Sequence, residues 1–331
     1  MKSVLVTDTH LGMANNDNLW IGVVEDLFNE IIDFCVKENI HTIIHLGDFF
    51  DSRKSLNVAT LSKGIEICEK ISKNNISLYI VRGNHDTYYK NLPTPHSLKQ
   101  LSYIDNITVV DNKPLQLSDY ILVPWAQDLS EIPDDSIVMG HFEINGFVIN
   151  AHGHTHEGST LNISDFNRFK SVYSGHFHTP SQNGNITYIG SAFPQDFNDV
   201  GSVRGYYVIE GNSLEFIEYT NSPKFVKLTS SDKFEGVENN IISFTFLEDF
   251  GNVENEKILK QLQEMGPAKL HIDYAIQIID DEDIVTDEGP VEVRNNSEVM
   301  REYIDTKTFP KHIKKPVLKK MLGKIEGEIN E

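Results

Sequence analysis

Cysteine, positive charge and long apolar runs are what this chain has least of. Its two cysteines in 331 residues, Cys35 and Cys68, both lie in apolar, helix-like stretches (IIDFCVKENI and IEICEK). That excludes a disulfide framework and reads as free buried thiols in a reducing, cytoplasmic compartment. No stretch has the length of a membrane span, and MKSVLVTDTH lacks the apolar core and cleavage site of a signal peptide. Lysine and arginine number 29 against 49 aspartate and glutamate, a formal net charge of -20. Such a balance opposes broad nonspecific binding to nucleic acid, which needs many cations on one face. It leaves room for a local site whose positive charge comes from bound metal.

What the chain does have is a rhythm. Short runs rich in β-branched residues (SVLVT, HTIIHL, SLYIV, SIVM, SVYS) each end in a small cluster of Gly, Asp, Asn or His. Stretches of helical period, Trp20 to Glu38 and Thr60 to Lys73, lie between them. The alternation predicts an α/β sandwich with helices covering a sheet. Tyr206 to Thr220 reads as a hairpin turning at Gly211. After about residue 222 the order strand (IISFTFL), helix (NEKILKQLQEM) and strand (KLHIDYAIQII) predicts a small α+β domain, followed by an acidic loop, DDEDIVTDEG.

The chemistry sits where the apolar runs stop. They end in Asp8-Thr9-His10, Gly47-Asp48, Gly83-Asn84-His85-Asp86, Gly140-His141 and one of two Gly-His-x-His pairs, His154/His156 or His176/His178. Carboxyl ends of strands in an open α/β sheet converge on one edge, where ligands bind. Asp8 and His10, two apart on an extended segment, are expected to grip one ion together. One such Asp or His is ordinarily a turn or cap residue; five clusters, each behind its own strand, make a constellation. Nitrogen and oxygen donors without thiolate favour manganese, iron or zinc. Two divalent ions among two aspartates, Asn84 and four histidines would leave net positive charge for a phosphate. Metals about 3.5 to 4 Å apart can hold its oxygens and an attacking hydroxide together.

Asp-x-His, Gly-Asp, Gly-Asn-His-Asp, Gly-His and Gly-His-x-His, in that order, resemble the calcineurin-like metallophosphoesterases over about residues 1 to 210. Within them, HLGDFFDSRKS, VRGNHDTYYKN, GHFEINGF and VYSGHFHTPSQNGNITYIGS are most similar to SbcD-type nuclease subunits of double-strand-break repair complexes, in the small form found in T-even phages. Protein phosphatases of the superfamily would instead show Gly-Asp-x-x-Asp-Arg-Gly and Gly-Asn-His-Glu. The resemblance implies a two-sheet sandwich flanked by helices, with a small α+β capping domain and C-terminal helices. It divides the chain into a nuclease domain (1–221), a capping domain (222–290) and a segment for an ATPase partner (291–331). One metal would be bound by Asp8, His10, Asp48 and His178, the other by Asp48, Asn84, His141 and His176, with Asp48 bridging. The implied activity is Mn2+-dependent exonuclease action on duplex DNA and endonuclease action on single strands, in a two-plus-two assembly with an SbcC-type coiled-coil ATPase. The alternatives are a phosphoprotein phosphatase or nucleotide phosphodiesterase on the same scaffold, or a noncatalytic binding subunit.

His85 stands beside a ligand without being one, and there a histidine can stabilise the scissile phosphate or protonate the leaving oxygen if a partner orients it. Asp51 is the first candidate for that partner and Asp86 the second. Arg53 and Lys54, with Tyr88, Tyr89 and Lys90, would flank the metals as phosphate and base contacts, or stand as solvated loop residues.

Of the two pairs, spacing favours the second as ligands. It follows a helix-like turn, Ser164 to Lys170 with Ser164 as cap, and the strand VYS, and precedes the strand NITYIGS. His154 lies only 13 residues beyond His141, too few for a parallel crossover, so His152, His154 and His156 read as a loop near the site. At the C-terminus, Glu298 to Asp305 and Pro316 to Ile329 read as short helices. The second carries an apolar stripe of Leu318, Met321, Leu322, Ile325 and Ile329. It is weakened by Gly323 and Gly327, lies in a lysine-rich tail, and suits docking on a partner or on its own capping domain.

Overall fold

The computed structural model describes residues 1–90, 92–147, 155–248, 252–275, 285–286 and 289–290. Strands β1 (Lys2–Val6), β2 (Thr42–His45), β3 (Ser77–Val81) and β4 (Ile107–Val110) run parallel and adjacent. Helix α1 (Asn18–Glu38) connects the first two and α2 (Val58–Lys73) the second and third. Both start on a side-chain cap: Leu19 N–H donates to the Asp17 carboxylate, and Ala59 N–H to the Asn57 amide oxygen. The chain then enters a second sheet as β5 (Leu115–Leu117), β6 (Tyr120–Val123), β7 (Ile137–His141), β8 (Ser171–Gly175), β9 (Ser181–Asn183) and β10 (Ile186–Tyr188). It returns to the first sheet through the hairpin β11 (Gly205–Glu210) and β12 (Ser213–Glu218), turning at Gly211 with φ 60.

The spatial orders are β12-β11-β1-β2-β3-β4 and β9-β10-β8-β7-β6-β5. Period-2 alternation makes this a sandwich. Val4 and Val6 pack under α1, while Leu5 between them faces the second sheet with Ile44, Leu122 and Met139. Ile121, Val123 and Val138 point to the far side of the second sheet, which is covered by Phe142, Phe147, Phe166, Phe169 and Phe177 from loops. Helices therefore flank the first sheet, and aromatic loops the second. The turn before β8 is a 3-10 helix, Ile163–Phe166, and its cap is Asn162 in a box with Asp165, where the sequence pointed to Ser164.

Beyond β12, three parallel strands, β13 (Phe225–Thr229), β14 (Ile241–Phe246) and β15 (Lys269–Tyr274), form a separate sheet, with α3 (Asn252–Glu264) between the last two. Phe244, Phe246 and Leu262 are fully buried in its core, and Phe225 stacks on Trp20 of α1 at 5.9 Å. Met1–Tyr274 form one compact unit and Ala275–Glu331 another. The expected helices at 298–305 and 316–329, and the histidines at 152 and 154, lie outside the described residues. Cys35 and Cys68 are free and buried, and burial pushes both thiols up to about 12. Among the described residues no helix is long and apolar enough to cross a membrane.

His45, at the end of β2, is a buried histidine the sequence left unremarked. Gly47 N–H donates to its Nδ1 at 3.3 Å, and its Nε2 faces Thr9 Oγ1 at 3.0 Å while that hydroxyl donates to the Phe49 carbonyl. Phe28 of α1 stacks on the ring at 6.3 Å. The network fits only a neutral ring, and burial lowers its pKa to about 3. Unfolding releases a group of ordinary pKa, so the contribution is complete above pH 6.5 and declines as pH falls toward 3. Metal-free protein should lose about 2 kcal/mol of stability to this residue between pH 8 and pH 5. Urea midpoints at both pH values should show a shallower pH slope for His45→Asn than for the parent. An equal slope would place the titration elsewhere.

Candidate metal centre

The ends of β1, β2, β3, β7 and β8 meet at one edge of the sandwich, and there the backbone is pulled into unusual conformations. Asp8 (φ 52), His10 (φ 42), Asp48 (φ 55) and His176 (φ 94) all occupy the left-handed region. Each costs about 1 to 3 kcal/mol unless its surroundings demand it, and such residues concentrate at functional sites. Asp8 and His10 are thus no extended pair, since β1 has ended and the chain turns at both. Close approach also explains two glycines. A Cβ on Gly83 would lie 2.2 Å from Asp48 Oδ1, and one on Gly175 2.1 Å from Thr7 Oγ1.

Three groups of ligand-type atoms result, of which His10, Asp51 and His85 form one and the other two hold the expected ligands. Those two are Asp8, His10 and His178, and Asp48, His141 and His176, each with atoms within 4.8 Å of one another. Asp48 lies between them, its Oδ2 3.3 Å from His141 Nε2 and 3.8 Å from His10 Nε2. Asn84 completes the second group, its side-chain amide 2.8 Å from His141 Nε2 and 2.9 Å from His176 Nδ1. All seven sequence-derived ligand candidates therefore come together, with His176 and His178 supplying the Gly-His-x-His contribution. Of the first copy, His156 is described, and its Nε2 lies 3.3 Å from Glu143 Oε1.

The donor chemistry fits a cation. His141 Nδ1 donates to the Leu46 carbonyl at 2.8 Å, so Nε2 of the neutral ring carries a lone pair. That lone pair, His176 Nδ1 and the Asp48 carboxylate converge on Asn84. With its NH2 turned inward the amide meets these atoms and sets its oxygen on the Arg53 guanidinium. A metal ion would satisfy the same acceptors with the amide oxygen inward. Burial opposes charge on His141, yet the Asp48 carboxylate beside it holds the pKa up to about 9. Burial likewise opposes His10, which Asp51, Asp48 and Asp8 raise above its ordinary value. Asp48 is held well below the carboxylate range because His141 and His10 overcome the cost of burial.

Around the groups stands a supporting layer. His85 N–H donates to Asp48 Oδ1 at 2.7 Å, and its ring lies edge-on to His10 at 4.8 Å. Its Nδ1 meets the main-chain carbonyl of Asp51 at 2.6 Å. The Asp51 carboxylate turns instead to His10 Nδ1, at 3.2 Å. Asp86, the other suggested partner, is fully buried and accepts N–H bonds from Gly83, Asp48, Phe49 and Phe50 at 2.9 to 3.4 Å, tying the β2 and β3 loops together. Burial, then the Asp48 charge, push it up to about 6 against those donors. Sequence reasoning also passed over Thr7, whose hydroxyl donates to Asp8 Oδ2 at 2.8 Å, and Gln195, whose amide donates to the Asp8 carbonyl at 2.6 Å. Gln195 carries no sequence signal, because it reaches the site from 187 residues away.

The calcineurin-like phosphoesterase family model matches residues 1–180. The chain belongs to that family. Calcineurin-like phosphoesterases bind a dinuclear metal site, and here two groups of ligand-type atoms lie side by side, Asp48 Oδ2 of one 3.8 Å from His10 Nε2 of the other. This phosphoesterase is 28% identical over 328 residues to exonuclease subunit 1 of enterobacteria phage T4, covering 92% of each chain. It is 26% identical over 197 residues to the DNA double-strand break repair protein Mre11 of Sulfolobus acidocaldarius, covering 54% of this chain and 50% of that one. It is 22% identical over 308 residues to the Mre11 protein of Archaeoglobus fulgidus, covering 78% of this chain and 67% of that one.

Arg53, Lys54 and Tyr88 of this phosphoesterase line one cleft of about 200 Å³. Lys90 lines another of about 320 Å³ with Trp125, His141 and Ser159. Tyr88 and Tyr89 are half exposed and pack edge to face at 4.7 Å.

Replacing Asp86 with Ala strands four buried N–H groups and should cost about 3 kcal/mol or more in urea denaturation; a loss under about 1 kcal/mol would show that the loops do not depend on it. Because His141 keeps its proton below about 9, a cation binding at pH 7 must displace it. Titration calorimetry with Mn2+ in buffers of different ionisation enthalpy should show about one proton released, with affinity rising as pH goes from 7 toward 9. Heats independent of buffer would contradict the assignment.

Proposed function

We propose that this phosphoesterase is a manganese-dependent DNA nuclease, acting as exonuclease on duplex and endonuclease on single-stranded DNA, and the nuclease subunit of a repair or recombination complex. The likeness to a phage exonuclease subunit over 92% of both chains carries the reading. In it one ion is held by Asp8, His10, Asp48 and His178, and the second by Asp48, Asn84, His141 and His176. The imidazole, carboxylate and amide donors suit manganese. When bound, two such ions supply Lewis acidity, drawing phosphate oxygens and making water a nucleophile near neutral pH.

The chain's own groups do the rest. His85, its Nδ1–H directed at the Asp51 carbonyl, keeps Nε2 free to hold a proton and pass it to a leaving oxygen. Asp51 thus orients His85 through its main chain and His10 through its carboxylate. Arg53 and Lys54 contact backbone phosphates, and Tyr88 and Tyr89 offer faces for unstacked bases, with Lys90 beyond them. Localised charge of this kind lets a chain of net charge -20 hold a polyanion. Residues 1–221 form the nuclease domain, 222–290 the capping domain, and 291–331 dock on an SbcC-type coiled-coil ATPase in a two-plus-two assembly.

End-labelled duplex DNA incubated with the purified protein should be shortened in Mn2+ and much less in Mg2+. His85→Ser should slow cleavage by about 10² to 10⁴ while Mn2+ still binds. Undiminished cleavage in that variant would remove the role given to His85. No digestion with any metal, together with turnover of p-nitrophenyl phosphate or a cyclic nucleotide, would replace the nuclease reading with a phosphatase or nucleotide phosphodiesterase.

A further inference from the structure

Three ligand-type histidines turn one ring nitrogen toward the centre and the other toward a protein acceptor. His10 presents Nε2 and sets Nδ1 3.2 Å from Asp51 Oδ1. His141 presents Nε2 and gives Nδ1 to the Leu46 carbonyl at 2.8 Å. His176 is reversed: Nδ1 faces Asn84 at 2.9 Å and Nε2 points outward. The group it meets there is Glu143 Oε1, at 3.8 Å. Glu143 follows His141 by two residues past the end of β7, and its side chain is 23% exposed, so water only partly screens it.

The same oxygen lies 3.3 Å from His156 Nε2. His156 is itself fixed. Its N–H donates to the Phe147 carbonyl at 2.9 Å, its carbonyl accepts from Gly146 N–H at 2.9 Å, and its ring packs on Phe177 at 5.4 Å. Phe177 stands between His176 and His178. The Ser159 hydroxyl donates to the Glu143 carbonyl, which holds the main chain on the other side.

From this geometry we infer that Glu143 is a positioning residue for the second metal site, fixing His176 with its proton on Nε2 and its Nδ1 lone pair toward the ion, and that His156 fixes Glu143. This rests on the reading of His176 as a ligand. A carboxylate on the outer nitrogen sets ring orientation and tautomer and makes the ligating nitrogen more basic, and loss of such a partner typically weakens metal binding 10- to 100-fold. Glu143 is no ligand itself, because it lies on the side of the His176 ring away from Asn84. The last histidine of the first Gly-His-x-His copy would thereby act, through one carboxylate, on the first histidine of the second.

Mn2+ titrations of the full chain without DNA test this in the parent, Glu143→Gln, Glu143→Ala and His156→Ala, with circular dichroism and thermal midpoints as fold controls. The parent should take two ions. In both Glu143 variants one step should weaken about 10- to 100-fold and the other stay unchanged, and His156→Ala should weaken the same step less. In 15N-histidine-labelled protein the His176 Nε2–H tautomer should dominate in the parent and mix with the other in Glu143→Gln, a change that a purely structural role would not produce. Two ions in the parent with both affinities unmoved in folded Glu143→Gln would overturn the inference alone, as would equal weakening of both steps. Fewer than two ions in the parent would overturn the ligand assignment, and this inference with it.

Discussion

A carboxylate buried among histidines governs this molecule. Asp48 is 2% exposed, and a charge so placed is tolerable only with partners on every side. His85 N–H, the His141 ring and the His10 ring supply them. Each partner comes from a different strand end, so the carboxylate can be satisfied only if β1, β2, β3 and β7 stop in register. Asp86 adds a second buried carboxylate behind it, fed by four backbone N–H groups from the loops after β2 and β3. Electrostatic need at one point thus constrains the geometry of a whole sheet edge.

The sandwich gives that need a rigid frame. Parallel neighbours bring carboxyl ends to the same side, and alternation along β1 places Val4 and Val6 under a helix and Leu5 between the sheets. The loops are then short and strained, with Asp8, His10, Asp48 and His176 at positive φ. Such backbone strain brings histidines and carboxylates into convergence, and a convergent set of donors needs little further ordering to hold an ion. The carboxylates around them raise the pKa values of His141 and His10 against the cost of burial.

Charge is divided in a way that suits the proposed substrate. The chain as a whole carries a net charge of -20, while Arg53 reaches the Asn84 amide and Lys54 follows it along one cleft. A net negative charge opposes DNA binding in general, and a few cations grouped at one place can offset that locally.

The sequence by itself determined the parts of this protein that depend on period and order. Strand Ser77–Val81, helices α1 and α2 to within two residues, the hairpin at Gly211 and the seven candidate ligands were legible, because strand alternation, helical period and chemistry at strand ends are local signals. Only the tertiary structure decided which atoms do what. That Asp51 meets His85 through its carbonyl and His10 through its carboxylate, that Asp86 ties two loops, that His45 is a neutral buried support, and that Gln195 steadies Asp8 across 187 residues leave no periodic trace. Likewise His156 and His176, one from each Gly-His-x-His copy, lie 3.3 and 3.8 Å from the same Glu143 oxygen. Contacts of this kind are set by distance and direction between segments, and a sequence records which residues exist, whereas their approach is fixed only when the two sheets close.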